Sequence, residues 1–99
     1  VTKRQILAGY IRRRLKNLNK PQIFGLPMIH KDLGVKRQPG GGSFIDCYFG
    51  NIRRAGMLRQ VGTIRSGAYY VFTSRALRLL RGDPTLLVRW IARGKHWQA

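Results

Sequence analysis

The chain has 99 residues and carries 20 Lys and Arg against three Asp and Glu, a formal net charge of +17. One cysteine cannot make an internal disulfide framework or a Cys-based zinc site, and the three carboxylates, Asp32, Asp46 and Asp83, leave little for acid–base catalysis or a hard-metal cage. No apolar run approaches the ~20 residues that span a bilayer; a small cationic binding protein remains, with nucleic acid as its expected partner and no cofactor.

Residues 1–20 read as a basic amphipathic helix. Thr2 with Gln5 three positions later forms a capping-box pattern. At about 100° per residue, Ile6, Leu7, Tyr10, Ile11, Leu15 and Leu18 share one half of the helix surface. Arg12, Arg13, Lys16 and Lys20 take the other half, while Arg14 projects from the apolar arc. Either Arg14 snorkels or that face meets RNA or a partner protein. Pro21 is expected to end the helix.

Residues 21–62 read as an extended or loop segment with one possible short strand. Residues 21–43 hold Pro21, Pro27, Pro39, Gly25, Gly34 and the triplet Gly40, Gly41 and Gly42, and no period holds there. A loop that long fits a chain lying along a larger particle better than a free-standing domain. Ser43–Phe49 is the possible strand, and Asn51–Val61 is ambiguous because Gly50, Gly56 and Gly62 weaken any helix.

Residues 63–99 read as an RNA-binding helical hairpin module, with a short aromatic stretch at Ala68–Phe72 ahead of its two helices. Thr73 or Ser74 caps a helix through Arg81, and Gly82 stops it. Asp83 then caps a second helix with Pro84 at its first position, and Gly94 ends it. Leu77, Leu80, Leu87 and Ile91 are available to pack. The fold expected is mainly α with long irregular segments and little or no sheet.

Mean charge density is a weak argument. A compact chain of this size exposes about 5,800 Å², on which the cations sit roughly 17 Å apart, about two Debye lengths. Clustering says more: Arg12, Arg13, Arg14 and Lys16, then Lys36 and Arg37, then Arg53 and Arg54, set like charges well inside a Debye length. The bias to arginine, 14 against six lysines, favours bidentate phosphate contact and stacking on bases. The cations Arg59, Arg65, Arg75, Arg78, Arg81 and Arg93 extend the candidate RNA-binding set, and Tyr69 and Tyr70 beside Arg65 and Arg75 suggest base or ribose contact.

Other constellations carry less. The glycine triplet with Ser43 lacks the lysine and spacing of a P-loop and reads as a turn. His30 and Asp32 have no nucleophile nearby, and Cys47 reads as a small buried hydrophobe. Trp90 and Trp97 read as packing residues.

The run Thr63-Ile64-Arg65-Ser66-Gly67-Ala68-Tyr69-Tyr70-Val71-Phe72-Thr73-Ser74-Arg75 resembles the signature of the small-subunit ribosomal protein fourteen family. Arg78, Gly82, Pro84 and Trp90 or Trp97 follow in a similar order. Ile64 stands where that family has Gly, the stretch between Arg65 and Ser74 is about two residues short, and Thr73 replaces a Leu. The upstream cysteine element is missing as well, so the resemblance is to a divergent, zinc-free member. It covers roughly a third of the chain. It implies an rRNA-bound protein of the small-subunit head, with Arg65, Tyr70, Ser74 and Arg75 at the family's RNA-contacting positions.

These readings together lead to the expectation of a structural, non-enzymatic constituent of a ribosome. Its partners would be rRNA and neighbouring ribosomal proteins, with no membrane, no small-molecule substrate and no free homo-oligomer. The mitochondrial matrix is the expected site, with cytoplasmic and plastid ribosomes as alternatives. The start at Val1 is compatible with removal of an organellar presequence. The competing expectation is a DNA-binding module in which the Ser74–Gly94 hairpin imitates a helix-turn-helix.

Overall fold

A computed structural model of the chain describes residues 1–16, 22–36, 42–64 and 67–98. The first helix, α1 (Lys3–Leu15), begins as its capping box dictates: the Thr2 hydroxyl accepts from Gln5 N, and the Gln5 side chain accepts from Thr2 N. Its C-cap is Lys16, and the expected stretch from there to Lys20 and Pro21 lies outside the described residues. Leu7, Ala8, Tyr10 and Ile11 are buried, whereas Ile6 is exposed.

The segment expected to be an irregular loop contains two elements. A short strand, β1 (Phe24–Gly25), leads directly into α2 (Leu26–Leu33). Pro27 lies in the first turn of α2, where a missing N–H costs nothing, so it starts the helix and does not break it. Gly34 ends α2 in the left-handed region at φ 67°, and its N–H bonds back to His30 and Lys31 carbonyls. Any other residue would be strained there.

The expected strand at Ser43–Phe49 is also overturned, because these residues open α3 (Phe44–Arg54). Ser43 Oγ accepts from Ile45 N while the Asp46 carboxylate accepts from Ser43 N at 2.8 Å, a second capping box. Ile45, Phe49 and Ile52, spaced four and three apart, bury one stripe of α3. Cys47 lies off that stripe and is exposed, contrary to its expected burial.

Three strands form an antiparallel sheet in the order β1–β3–β2, so the expectation of little or no sheet fails. Strands β2 (Leu58–Ile64) and β3 (Gly67–Phe72) make a hairpin, with Leu58 opposite Phe72 and Ile64 opposite Gly67. The register shifts between Gln60 and Gly62, which leaves Val61 as the extra residue of a bulge. On the far side of β3, Phe24 pairs with Tyr70 and Gly25 with Tyr69.

Thr73 caps α4 (Ser74–Gly82) through Ala76 N. A turn held by Asp83, which accepts from both the backbone and the hydroxyl of Thr85, leads to α5 (Leu86–Arg93). Asp83 therefore ties the turn; Thr85 holds the N-cap position expected of Asp83, and Pro84 lies in the turn instead of at the first helical position. A single 3₁₀ turn at Gly94–His96 follows.

The core is continuous across all three segments. Phe24 meets Phe72 edge-on at 5.5 Å between ring centres, Phe49 meets Tyr70 at 5.9 Å, and Trp90 meets Trp97 at 5.9 Å. Both tryptophans pack, as expected. Helix α5 is a core helix, with Leu87, Trp90 and Ile91 fully buried, so Leu87 and Ile91 pack as expected.

Candidate nucleic-acid interface

Helices α2 and α3 precede the β-hairpin, and one side chain ties the first to the start of the second. His30, at the end of α2, is buried, with Nδ1 2.7 Å from the Leu26 carbonyl and Nε2 2.6 Å from Ser43 Oγ. Ser43 is the N-cap of α3, so the imidazole fixes where α3 starts. Asp46 Oδ2 stands 3.4 Å from the same ring nitrogen. The pair His30 and Asp32 holds no catalytic geometry, because Asp32 turns away to accept from the Tyr10 hydroxyl at 2.6 Å.

Helix α3 is thus gripped on its apolar stripe and open on the opposite face. Cys47, Arg53 and Arg54 are exposed and Gly50 is partly exposed, so that face is small in the middle and cationic at its C-terminal end. Arg54 donates to Asn51 Oδ1 at 3.0 Å, and Asn51 in turn donates to the Ile91 carbonyl at 2.8 Å, which anchors α3 to α5. The Arg53 guanidinium lies 5.4 Å over the ring of Tyr70. That contact joins the end of α3 to the hairpin, where Arg59, Gln60, Val61 and Thr63 are exposed on β2.

The scarce carboxylates are all engaged inside the protein. Asp32 receives Tyr10 and Arg14, Asp46 receives Ser43 N, and Asp83 receives Thr85. The Thr85 hydroxyl and N–H hold the Asp83 carboxyl below its usual value. Among the described residues no carboxylate pairs with Arg53, Arg54 or Arg59. Their charge is left for an external anion.

The sequence-derived set divides. Arg14 is internal: its guanidinium donates to Tyr10 Oη at 3.3 Å, Gln22 Oε1 at 3.3 Å and the Ile23 carbonyl at 3.4 Å, pairs with Asp32 at 3.5 Å, and lies 5.3 Å over Phe24. Its head is held by these acceptors and does not snorkel freely to water. Tyr70 is buried at 7% exposure, so its ring is a wall of the core and not a stacking platform. Tyr69 is half-buried with its ring over Gly25.

Arg12, Arg13 and Lys16 are exposed on α1, and Arg12 donates to the Pro84 carbonyl at 3.4 Å. Lys36, Ser74, Arg75, Arg78, Arg81 and Arg93 are exposed too, away from the open face of α3 in sequence. Arg37 and Arg65 lie outside the described residues, as do Leu18, Lys20, Pro21, Pro39, Gly40, Gly41 and Ser66. Sequence reasoning missed Cys47, Gly50 and Gln60, for which the only signal was the Ser43–Asp46 capping box. Among the described residues no His, Cys, Asp and Glu cluster could hold a metal ion, and no helix is long and apolar enough to cross a membrane.

Comparison with protein families, curated proteins and solved structures finds no match to this chain.

Proposed function

We propose that this chain binds duplex nucleic acid, with B-form DNA as the preferred partner, through α3 and the β2–β3 hairpin. One observation carries the reading. Helix α3 is held on its inner stripe, left open on a narrow outer face that ends in Arg53 and Arg54, and followed by a hairpin whose first strand carries Arg59. A major groove about 12 Å wide admits such a helix. In helix-turn-helix proteins the second helix enters it while neighbouring elements hold the backbone. The small residues Cys47 and Gly50 let the helix axis come close to base edges, and Arg53, Arg54 and Arg59 meet phosphates. The proposed contact is therefore α3 and not the Ser74–Gly94 hairpin that the sequence suggested.

A ribosomal role, in the mitochondrion or elsewhere, is the second reading. The uncompensated cationic surface favours it equally, because rRNA answers the same charge.

Fluorescence anisotropy separates the two. A mixed-sequence duplex a few turns long is expected to bind at least about tenfold tighter than its single strand, with affinity falling steeply between about 50 and 200 mM salt. Amide shifts should concentrate at Cys47, Gly50, Arg54 and Arg59. Co-sedimentation with the small ribosomal subunit, reversed by RNase and indifferent to duplex competitor, would decide for the ribosomal reading. Equal affinity for duplex and single strand would overturn the DNA reading.

A further inference from the structure

A second concave surface lies away from α3, between the C-terminal half of α1 and the α4–α5 pair. Its floor is apolar: Leu15, Leu77 and Leu80 are half-buried and Leu87 is fully buried beneath them. Its rim is cationic, with Arg12, Lys16 and Arg81 all exposed. The groove measures about 280 Å³. Its shape is braced, because Arg12 on one wall donates to the Pro84 carbonyl on the other at 3.4 Å. Asp83, beside Pro84 in the chain, is committed to Thr85.

The chemistry of the occupant follows from that pairing. Nucleic acid could satisfy the rim through its phosphates, but its backbone has nothing to lay on Leu15, Leu77 and Leu80. A second copy of this chain would bring the groove against itself or against another face of a molecule with net charge +17, and either arrangement sets like charges together. Helix α4 buries only Ala76 completely, and its Leu77 and Leu80 pack against the core on one side while lining the groove on the other. We propose that this groove docks an amphipathic segment of an acidic partner protein, a helix whose apolar face covers Leu77 and Leu80 while flanking Asp or Glu side chains meet Arg12, Lys16 and Arg81. This is the helix-in-groove mode of recognition, with charge setting orientation. The nucleic-acid interface on α3 stays free, so one chain would join a polyanion to a protein.

The probe is a fluorescein-labelled helical peptide of about 20 residues with Leu at helical spacing and Glu on both flanks. Its control keeps every Glu and replaces each Leu with Gln. At about 150 mM salt, the full chain is expected to bind the leucine peptide at least about tenfold tighter than the control. Leu80→Gln should abolish that preference while leaving duplex affinity unchanged. Arg81→Glu should weaken the leucine peptide by about tenfold, whereas Lys31→Glu, the same charge change on exposed α2, should not. Arg81 is on the surface, so its variant carries the test if Leu80→Gln melts early. Equal binding of the two peptides, or equal loss with Arg81→Glu and Lys31→Glu, would overturn the proposal and leave only non-specific charge attraction. The duplex measurement on the same samples reports the α3 reading independently.

Discussion

Arg14 and Arg54 sit on helices of the same protein and do opposite work. Arg14, on α1, is surrounded by acceptors from β1 and α2, with Asp32 as counter-ion and the rings of Tyr10 and Phe24 beneath it. It is a cross-link between elements distant in sequence. Arg54, with Arg53 and Arg59 near it in the chain, has no carboxylate among the described residues and faces water. The difference teaches where the few acids go. A chain with three carboxylates spends all of them on internal geometry, so the cations on the α3 side keep their charge for an external partner.

That contrast is broken most directly by removing the exposed cations together. Arg53→Ala, Arg54→Ala and Arg59→Ala in one variant should weaken duplex binding by about 100-fold and flatten the salt dependence, with the slope of log K against log salt falling by about 2.7. Stability should move by no more than about 1 kcal/mol, mostly from the lost Arg53–Tyr70 contact. Titration by anisotropy at several salt concentrations, with thermal melting alongside, checks both. An unchanged slope would place the phosphate contacts elsewhere.

The Arg14 side sharpens the comparison with the reverse pattern. Arg14→Ala should cost about 2 kcal/mol of stability, because it strips charged hydrogen bonds and uncovers Phe24. Arg13→Ala, exposed one residue earlier, should stay within about 0.5 kcal/mol. The same network has a pH signature. Burial, then the hydrogen bond to Asp32, pushes the Tyr10 phenol above its ordinary value. A raised folded value means stability that is complete below about pH 10 and lost as pH rises through the folded value. Denaturant melts should therefore show the natural chain losing stability more steeply than Tyr10→Phe above about pH 10, while Tyr10→Phe is weaker by about 1 kcal/mol at neutral pH. Parallel pH profiles would mean that neither burial nor the Asp32 bond raises the Tyr10 phenol.

The same two regions show what was legible in the sequence. The caps were: Thr2 with Gln5, Thr73, and the stop at Gly94 all rest on contacts within a few residues. Arg14 was visible as an anomaly on an apolar arc, but its acceptors Gln22, Ile23 and Asp32 come from elements whose placement only packing decides. Helix α3 was hidden because Phe44, Ile45, Cys47, Tyr48 and Phe49 are apolar at both odd and even positions, which satisfies a strand as well as a helix. Strand β2 was hidden for the opposite reason. Arg59, Gln60, Val61 and Thr63 are all exposed, and the bulge at Val61 destroys alternation. Pro27 and Gly34 were read as loop residues when they are a helix start and a helix stop. The interface was therefore legible as charge and not as place.

Gly50 gives the finest test of place. A glycine inside a helix costs roughly 0.5–1 kcal/mol relative to alanine. Nothing inside the fold asks for it, since a Cβ there would meet only the flexible end of Arg54 at 3.5 Å. Gly9 in α1 has nearly the same surroundings, with the end of Arg13 at 3.5 Å, but lies outside the proposed interface. Gly9→Ala and Gly50→Ala should both raise the melting temperature by about 4 °C, following the helix-propensity gain. Only Gly50→Ala should weaken the duplex, by severalfold, because its methyl group stands where α3 approaches base edges. A Gly50→Ala chain that gains stability and keeps its affinity would mean that α3 does not come that close, and that the hairpin cations carry the binding from the side.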